Sequence, residues 1–101
     1  MADLKGSQKK YLRGIAHKSN PSAFVGQKGI TKNLIEEIDQ ALDASELIKI
    51  KFVDFKDKDQ KKVLTQEIVN KTQSHVVGII GHVVILFRRN TDKEKQQIKL
   101  P

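Results

Sequence analysis

The chain has 101 residues, 38% of them apolar and none of them cysteine. That is enough for one domain around one core, and it excludes a disulfide framework and a Cys-based zinc site. Nineteen Lys and Arg against twelve Asp and Glu give a net charge of +7, which suggests a polyanionic partner, RNA or DNA first and an anionic membrane surface second.

The opening "MADLKGSQKK" turns polar at once, and no apolar run approaches the roughly 18 residues of a membrane span. A soluble, cytoplasmic protein with no membrane partner is therefore expected. "GSQKKYLRGIAHK" reads as a first helix, with Ser7 as its N-cap. Tyr11, Leu12, Ile15 and Ala16 form its apolar stripe, and Lys9, Lys10, Arg13 and His17 lie mostly off that stripe. "SNPS" ends it, because the residue before Pro21 disfavours helical backbone. "AFVG" is a short first strand, followed by the polar loop "QKGI". Thr31 caps a second helix running to about Ala44, with Leu34, Ile35, Ile38, Ala41 and Leu42 inward and Glu36, Glu37, Asp39 and Asp43 outward.

"ELIKIKFVDF" alternates from Leu47 to Phe55. Ile48, Ile50 and Phe52 share one face, and Lys49, Lys51 and Val53 share the other. A third helix is expected from Asp59 to Thr72, with Val63, Leu64, Ile68 and Val69 inward. "SHVVGIIGHVVILFRR" reads as two strands joined by a tight turn near Ile80 and Gly81, with His75 and His82 inside the strands. The order is α-β-α-β-α-β-β: one compact α/β domain over residues 1–90, with three helices and a four-stranded mixed sheet. The first strand, second helix and second strand suggest a parallel crossover unit. Residues 91–101 read as a loosely ordered polar tail.

Charge is segregated along the chain. Residues 1–32 carry a net +6, residues 33–48 a net −5 and residues 49–101 a net +6. The three histidines, His17, His75 and His82, are scattered, and no acid, base or metal constellation emerges, so neither an enzyme nor a cofactor or metal is implied. "GQKGIT" lacks the spacing of a P-loop and of a dinucleotide fingerprint. "GIIG" at 78–81 matches the same GxxG string but is apolar and lies between two strand-like runs, which points to hairpin geometry.

"GQKG" is polar and basic and feeds directly into a helix. Gly26 and Gly29 can bring the backbone close to a ligand. The first N–H groups of the second helix lack intrahelical acceptors and favour an anion, with Lys28 and Lys32 beside them. The alternative at this level is a plain strand-to-helix turn.

"KYLRGIAHKSNPSAFVGQKGITKNLIEEIDQALDASELIKIKF" followed by "VVGIIGHVVILFRR" resembles the YhbY family, stand-alone bacterial versions of the CRM (chloroplast RNA splicing and ribosome maturation) domain. The resemblance covers roughly residues 7–90. It implies a fold similar to the C-terminal domain of translation initiation factor three. It also implies RNA binding through the GxxG loop and neighbouring basic surface, with bacterial members associated with precursors of the large ribosomal subunit. Carried over by position, the loop is Gly26, Gln27, Lys28 and Gly29, with Thr31 capping the helix behind it. The basic helix supplies Lys9, Lys10, Arg13 and His17, and Arg88 ends the last strand. Family members commonly place lysine directly after the first glycine; here Gln27 stands there and Lys28 follows.

The expected function is a non-catalytic RNA-binding module acting on ribosomal RNA during large-subunit assembly, as a monomer. Only five aromatics exist, most of them in apolar patterns, so backbone or shape recognition is expected rather than base stacking. The alternative, of a different class, is docking on a ribosomal protein or assembly factor through the acidic face of the second helix.

Overall fold

The computed structural model describes residues 4–101. The elements follow the expected order: α1 (Gly6–Ala16), β1 (Ala23–Val25), α2 (Lys32–Ser45), β2 (Leu47–Phe52), α3 (Lys58–Thr72), β3 (His75–Ile80) and β4 (Val83–Phe87). The four strands form one mixed sheet in the order β1-β2-β4-β3. β1 pairs parallel with β2, and β4 is antiparallel to both β2 and β3.

Strand alternation divides the core into two layers. Ile48, Ile50 and Phe52 of β2 pack with Val84 and Leu86 of β4 against Leu34, Ile38 and Leu42 of α2 and Ile68 of α3. The opposite pleat carries Leu47, Val77, Ile85 and Phe87, which pack against Leu12 and Ala16 of α1. The sheet is thus sandwiched between α1 on one side and α2 with α3 on the other, so both of its faces bury apolar surface.

Local chemistry fixes the helix ends. Thr31 caps α2 as its sequence position predicts: its Oγ1 accepts from Leu34 N–H at 3.1 Å. Asp57 caps α3 by accepting from the N–H groups of Asp59 and Gln60 at 3.1 and 3.3 Å. Ser7 does not cap α1. That helix starts two residues earlier, at Gly6 with Lys5 as its N-cap, and the Gln8 side chain accepts from Lys5 N–H at 2.9 Å.

Three sequence readings need correction. Tyr11 and Ile15 are exposed at 45% and 39%, so α1 buries only Leu12 and Ala16, because it lies on the sheet through a narrow stripe. Val63 is 67% exposed, whereas Lys61, Thr65, Ile68 and Thr72 face inward. The rotation of α3 is set by its packing on α2 and the sheet, and its apolar residues only partly follow that face. His82 sits with Gly81 in the β3–β4 turn and not in a strand.

The end of the sheet where α2 finishes is tied together by Glu46. Its side chain is fully buried, and it occupies the α2 C-cap at φ 62°, a conformation uncommon for a residue with a Cβ. Its carboxylate accepts from Asn90 N–H at 2.6 Å, Gln97 N–H at 2.7 Å and Ile98 N–H at 3.2 Å. Its own carbonyl accepts from Arg88 N–H at 2.8 Å. Residues 91–101, which carry no sequence pattern, supply the Gln97 and Ile98 donors, form a single 3-10 turn at Lys93–Lys95 and place Ile98 and Leu100 against the α1 layer.

Glu46→Ala removes one carboxylate from three buried or half-buried donors. Hydrogen bonds to a charged group contribute about 1.5–3 kcal/mol each, and leaving donors unpaired adds a desolvation cost. The expected loss is at least about 4 kcal/mol in urea unfolding, together with faster hydrogen exchange at Gln97 and Ile98.

Candidate nucleic-acid interface

The loop after β1 starts where the strand is pinned. The carbonyl of Val25 accepts from the N–H groups of Val53 and Asp54 at 2.9 and 3.1 Å. Gly29 N–H then donates to Gly26 C=O at 2.9 Å, closing a four-residue turn with Gln27 and Lys28 at its exposed tip. Gly29 adopts φ 66°, which glycine reaches without steric cost, and its Cα faces the ring of Phe55.

The two glycines differ in kind. Gly26 has no positive φ, and a Cβ added there would meet nothing within 4 Å. Neither backbone conformation nor internal packing calls for glycine at 26. The feature that a side chain would disturb there is the open space over the backbone.

The turn leads straight into the N-terminus of α2. Only Leu34 N–H is taken by the Thr31 cap, so the N–H groups of Lys32 and Asn33 face outward with the positive end of the helix dipole. Phe24, Gly26, Lys28, Gly29 and Thr31 line one open concavity.

The pairing register brings further cations to the same end of the sheet. Val25 lies opposite Phe52, Lys51 opposite Val83 and Ile80 opposite Val83. The β3–β4 turn, Gly81 and His82, is therefore at the loop end, where Phe52 N–H donates to His82 C=O at 2.8 Å. Lys61 reaches up from α3. Although it is only 9% exposed, its Nζ donates to Gly81 C=O at 2.6 Å and lies 3.3 Å from His82 Nδ1. Desolvation pushes the His82 pKa below its ordinary 6.5, and the charges of Lys61, Lys56 and Lys51 push it the same way. The residue as a whole is exposed, and Lys61 is the cation that lies within hydrogen-bond distance of its ring.

Of the residues singled out in the sequence, Gly26, Gln27, Lys28, Gly29, Thr31 and Lys32 are brought together at this end. Lys9, Lys10 and Arg13 lie on α1 and His17 at its C-cap, across one face of the sheet. Arg13 is partly committed there: its NH1 donates to Val77 C=O at 3.2 Å, and its Cδ would be 2.9 Å from a Cβ at Gly78. Arg88 follows Phe87, which pairs with Leu47 at the opposite end of the sheet. Its NH1 donates to Asp39 Oδ1 at 2.6 Å and to Thr72 C=O at 2.7 Å, and its NH2 donates to Asp43 Oδ1 at 2.9 Å. It is a structural cation, separated from the GxxG loop by the length of the sheet. Lys51, Lys61 and His82 were missed in the sequence, because the register of β2, β3 and β4 sets the place of Lys51 and of the β3–β4 turn, and the packing of α3 brings Lys61 to that turn. A lysine at an inward position of α3 was the one available hint.

A three-layer α/β domain with a GxxG turn at the start of a helix and lysines gathered beside it defines the class. Residues 4–88 match the CRS1 / YhbY (CRM) domain family, and the chain belongs to that family. It is 38% identical to a Haemophilus influenzae protein described as an RNA-binding protein, over 100% of this chain and 98% of that one. It is 37% identical to a Bacillus subtilis protein described as a probable RNA-binding protein, over 97% and 99% of the two chains. The solution structure of a hypothetical Staphylococcus aureus protein proposed to bind RNA superposes with a TM-score of 0.80 at 35% identity, covering 97% of this chain and 99% of that one.

A depressed histidine pKa carries a stability sign. The folded state prefers neutral His82, so this contribution is complete above about pH 6.5 and is lost as pH falls below the unfolded value. By NMR titration, His82 should have its midpoint below 6.5. Lys61→Met should move that midpoint upward, since one repulsive charge is removed.

Proposed function

We propose that the protein binds RNA without catalysing a reaction on it, and that the contact is the loop end of the sheet. The observation that carries this reading is Gly26, a glycine that neither conformation nor packing requires, in a turn that opens toward a helix N-terminus and a group of lysines. Backbone that must be approached closely by a ligand has this character. The turn and the first N–H groups of α2 hold one phosphate, as helix N-termini do. Lys28, Lys32, Lys51 and Lys56 neutralise its neighbours. The names of the relatives from Haemophilus and Bacillus support RNA over DNA as the polyanion.

The RNA is ribosomal RNA in precursors of the large subunit, and the protein acts as a monomer in the cytoplasm during subunit assembly. This part of the proposal rests on the resemblance of the loop and helix motifs to YhbY proteins. Docking through the acidic face of α2 is less favoured, because Asp39 and Asp43, two of its four carboxylates, are ion-paired with Arg88.

Gly26→Ala should leave urea stability within about 0.5 kcal/mol of wild type, as surface substitutions usually do, while weakening RNA binding. Gly29→Ala should destabilise by about 1 kcal/mol, because alanine must adopt positive φ. If Gly26→Ala binds RNA as tightly as wild type, the loop is an ordinary turn.

Log K against log[salt] should fall with a slope of roughly −3, for about four phosphate contacts on a single strand. Lys28→Glu with Lys32→Glu should flatten it. In sucrose gradients of cell extract, wild type should travel with large-subunit particles and this folded double variant should stay at the top. Wild type remaining at the top would remove the ribosomal assignment.

A further inference from the structure

The face of the sheet that carries α1 is only half covered. On that face Lys49 pairs with Ile85, and Ile85 pairs with Gly78. α1 lies on this row: Arg13 rests against Gly78, and Lys49 Nζ donates to the carbonyls of His17 and Ser19 at the end of the helix, at 3.2 and 2.9 Å. One pleat nearer the loop, the same face presents Phe24, Lys51, Val83 and Ile80, paired side by side across all four strands. Phe24 is 53% exposed and Ile80 60%, Lys51 is exposed and Val83 is half-buried. Among the described residues no helix covers this row.

Sheet pairing makes the row contiguous. It is apolar at three of its four positions, the fourth is a lysine, and neither it nor the row beneath contains an acid. Phe24 also lines the concavity of the GxxG turn, so the row continues directly from the proposed phosphate site. Of the five aromatics, Phe52 and Phe87 are fully buried and Phe55 packs against Gly29. Phe24 is the one aromatic that is both exposed and part of the loop concavity.

We infer that Phe24 is a stacking platform for an unpaired base, so that the RNA taken by this domain is single-stranded where it meets the loop. The inference rests on the RNA-binding reading above and narrows its ligand. A nucleotide whose phosphate sits on the turn and the α2 N-terminus can lay its base on the Phe24 ring, with Lys51 beside the adjoining phosphate. In a duplex the base faces are stacked on one another and cannot reach the ring. Base–aromatic stacking tolerates any base, because every base has a π-face.

The probe is a mixed-sequence RNA strand of roughly 12 nucleotides containing 2-aminopurine, used alone and annealed to its complement. Wild type should bind the single strand in preference to the duplex and quench the 2-aminopurine. Phe24→Ala should bind the single strand about tenfold more weakly, with the quench reduced and the salt slope unchanged. Phe24→Tyr should restore both, whereas Phe24→Leu, which keeps apolar bulk without the π-face, should not. Urea unfolding of each variant confirms that an exposed position has been changed without loss of the fold.

If wild type binds RNA and Phe24→Ala binds it equally well, stacking is overturned while the RNA-binding reading stands, and the row is left to a protein partner. Equal or tighter binding of the duplex by wild type also overturns stacking. If wild type binds neither probe, both readings fall.

Discussion

The buried carboxylate of Glu46 is the joint on which the architecture depends. Between the last turn of α2 and the first residue of β2 there is a single residue, and that residue must reverse the chain. Its positive φ makes the reversal, and its side chain then turns inward to gather the N–H groups of residues 90, 97 and 98. One residue thus sets where β2 begins and holds the C-terminal segment against the α1 layer. A carboxylate in this position is tolerated because backbone donors replace the water it loses. Arg88 reinforces the same end by bridging α2, α3 and β4 through Asp39, Asp43 and Thr72.

That division of labour leaves the two ends of the sheet chemically different. At the Glu46 end, polar groups satisfy one another, and the Arg88 charge is consumed within the fold. At the loop end, the helix N-terminus, the GxxG turn and the lysines present donors and positive charge, interleaved with Asp54, Asp57 and Asp59 of the β2–α3 segment, of which Asp57 is occupied as a helix cap. Lys61 shows the contrast: its ammonium spends one hydrogen bond on the Gly81 carbonyl and sits beside an imidazole whose neutral form it favours.

Much of the fold was legible in the sequence because its periodicities are strong. Thr31 before an apolar stripe announced α2, and Ile48, Ile50 and Phe52 announced the inward face of β2. The helix α3 was harder to read, because lysine and threonine occupy inward positions while Val63 points to solvent. The GxxG turn was legible as a candidate site because a short polar loop opens into a capped helix. Arg88, singled out as the basic end of the last strand, is ion-paired with Asp39 and Asp43 in the fold. A basic residue at a strand end looks the same in sequence whether it faces a ligand or an acid on a neighbouring helix.

The sequence by itself determined the α/β order, the two faces of β2, the α2 cap and the polar loop, because each depends on residues within a few positions of one another. Only the tertiary structure decided which cations share a surface, since that follows from strand register and helix rotation across dozens of residues. The same holds for Phe24. The sequence places it in a short strand without saying which way its ring faces, and only the position of α1, one pleat away, leaves that ring open to solvent.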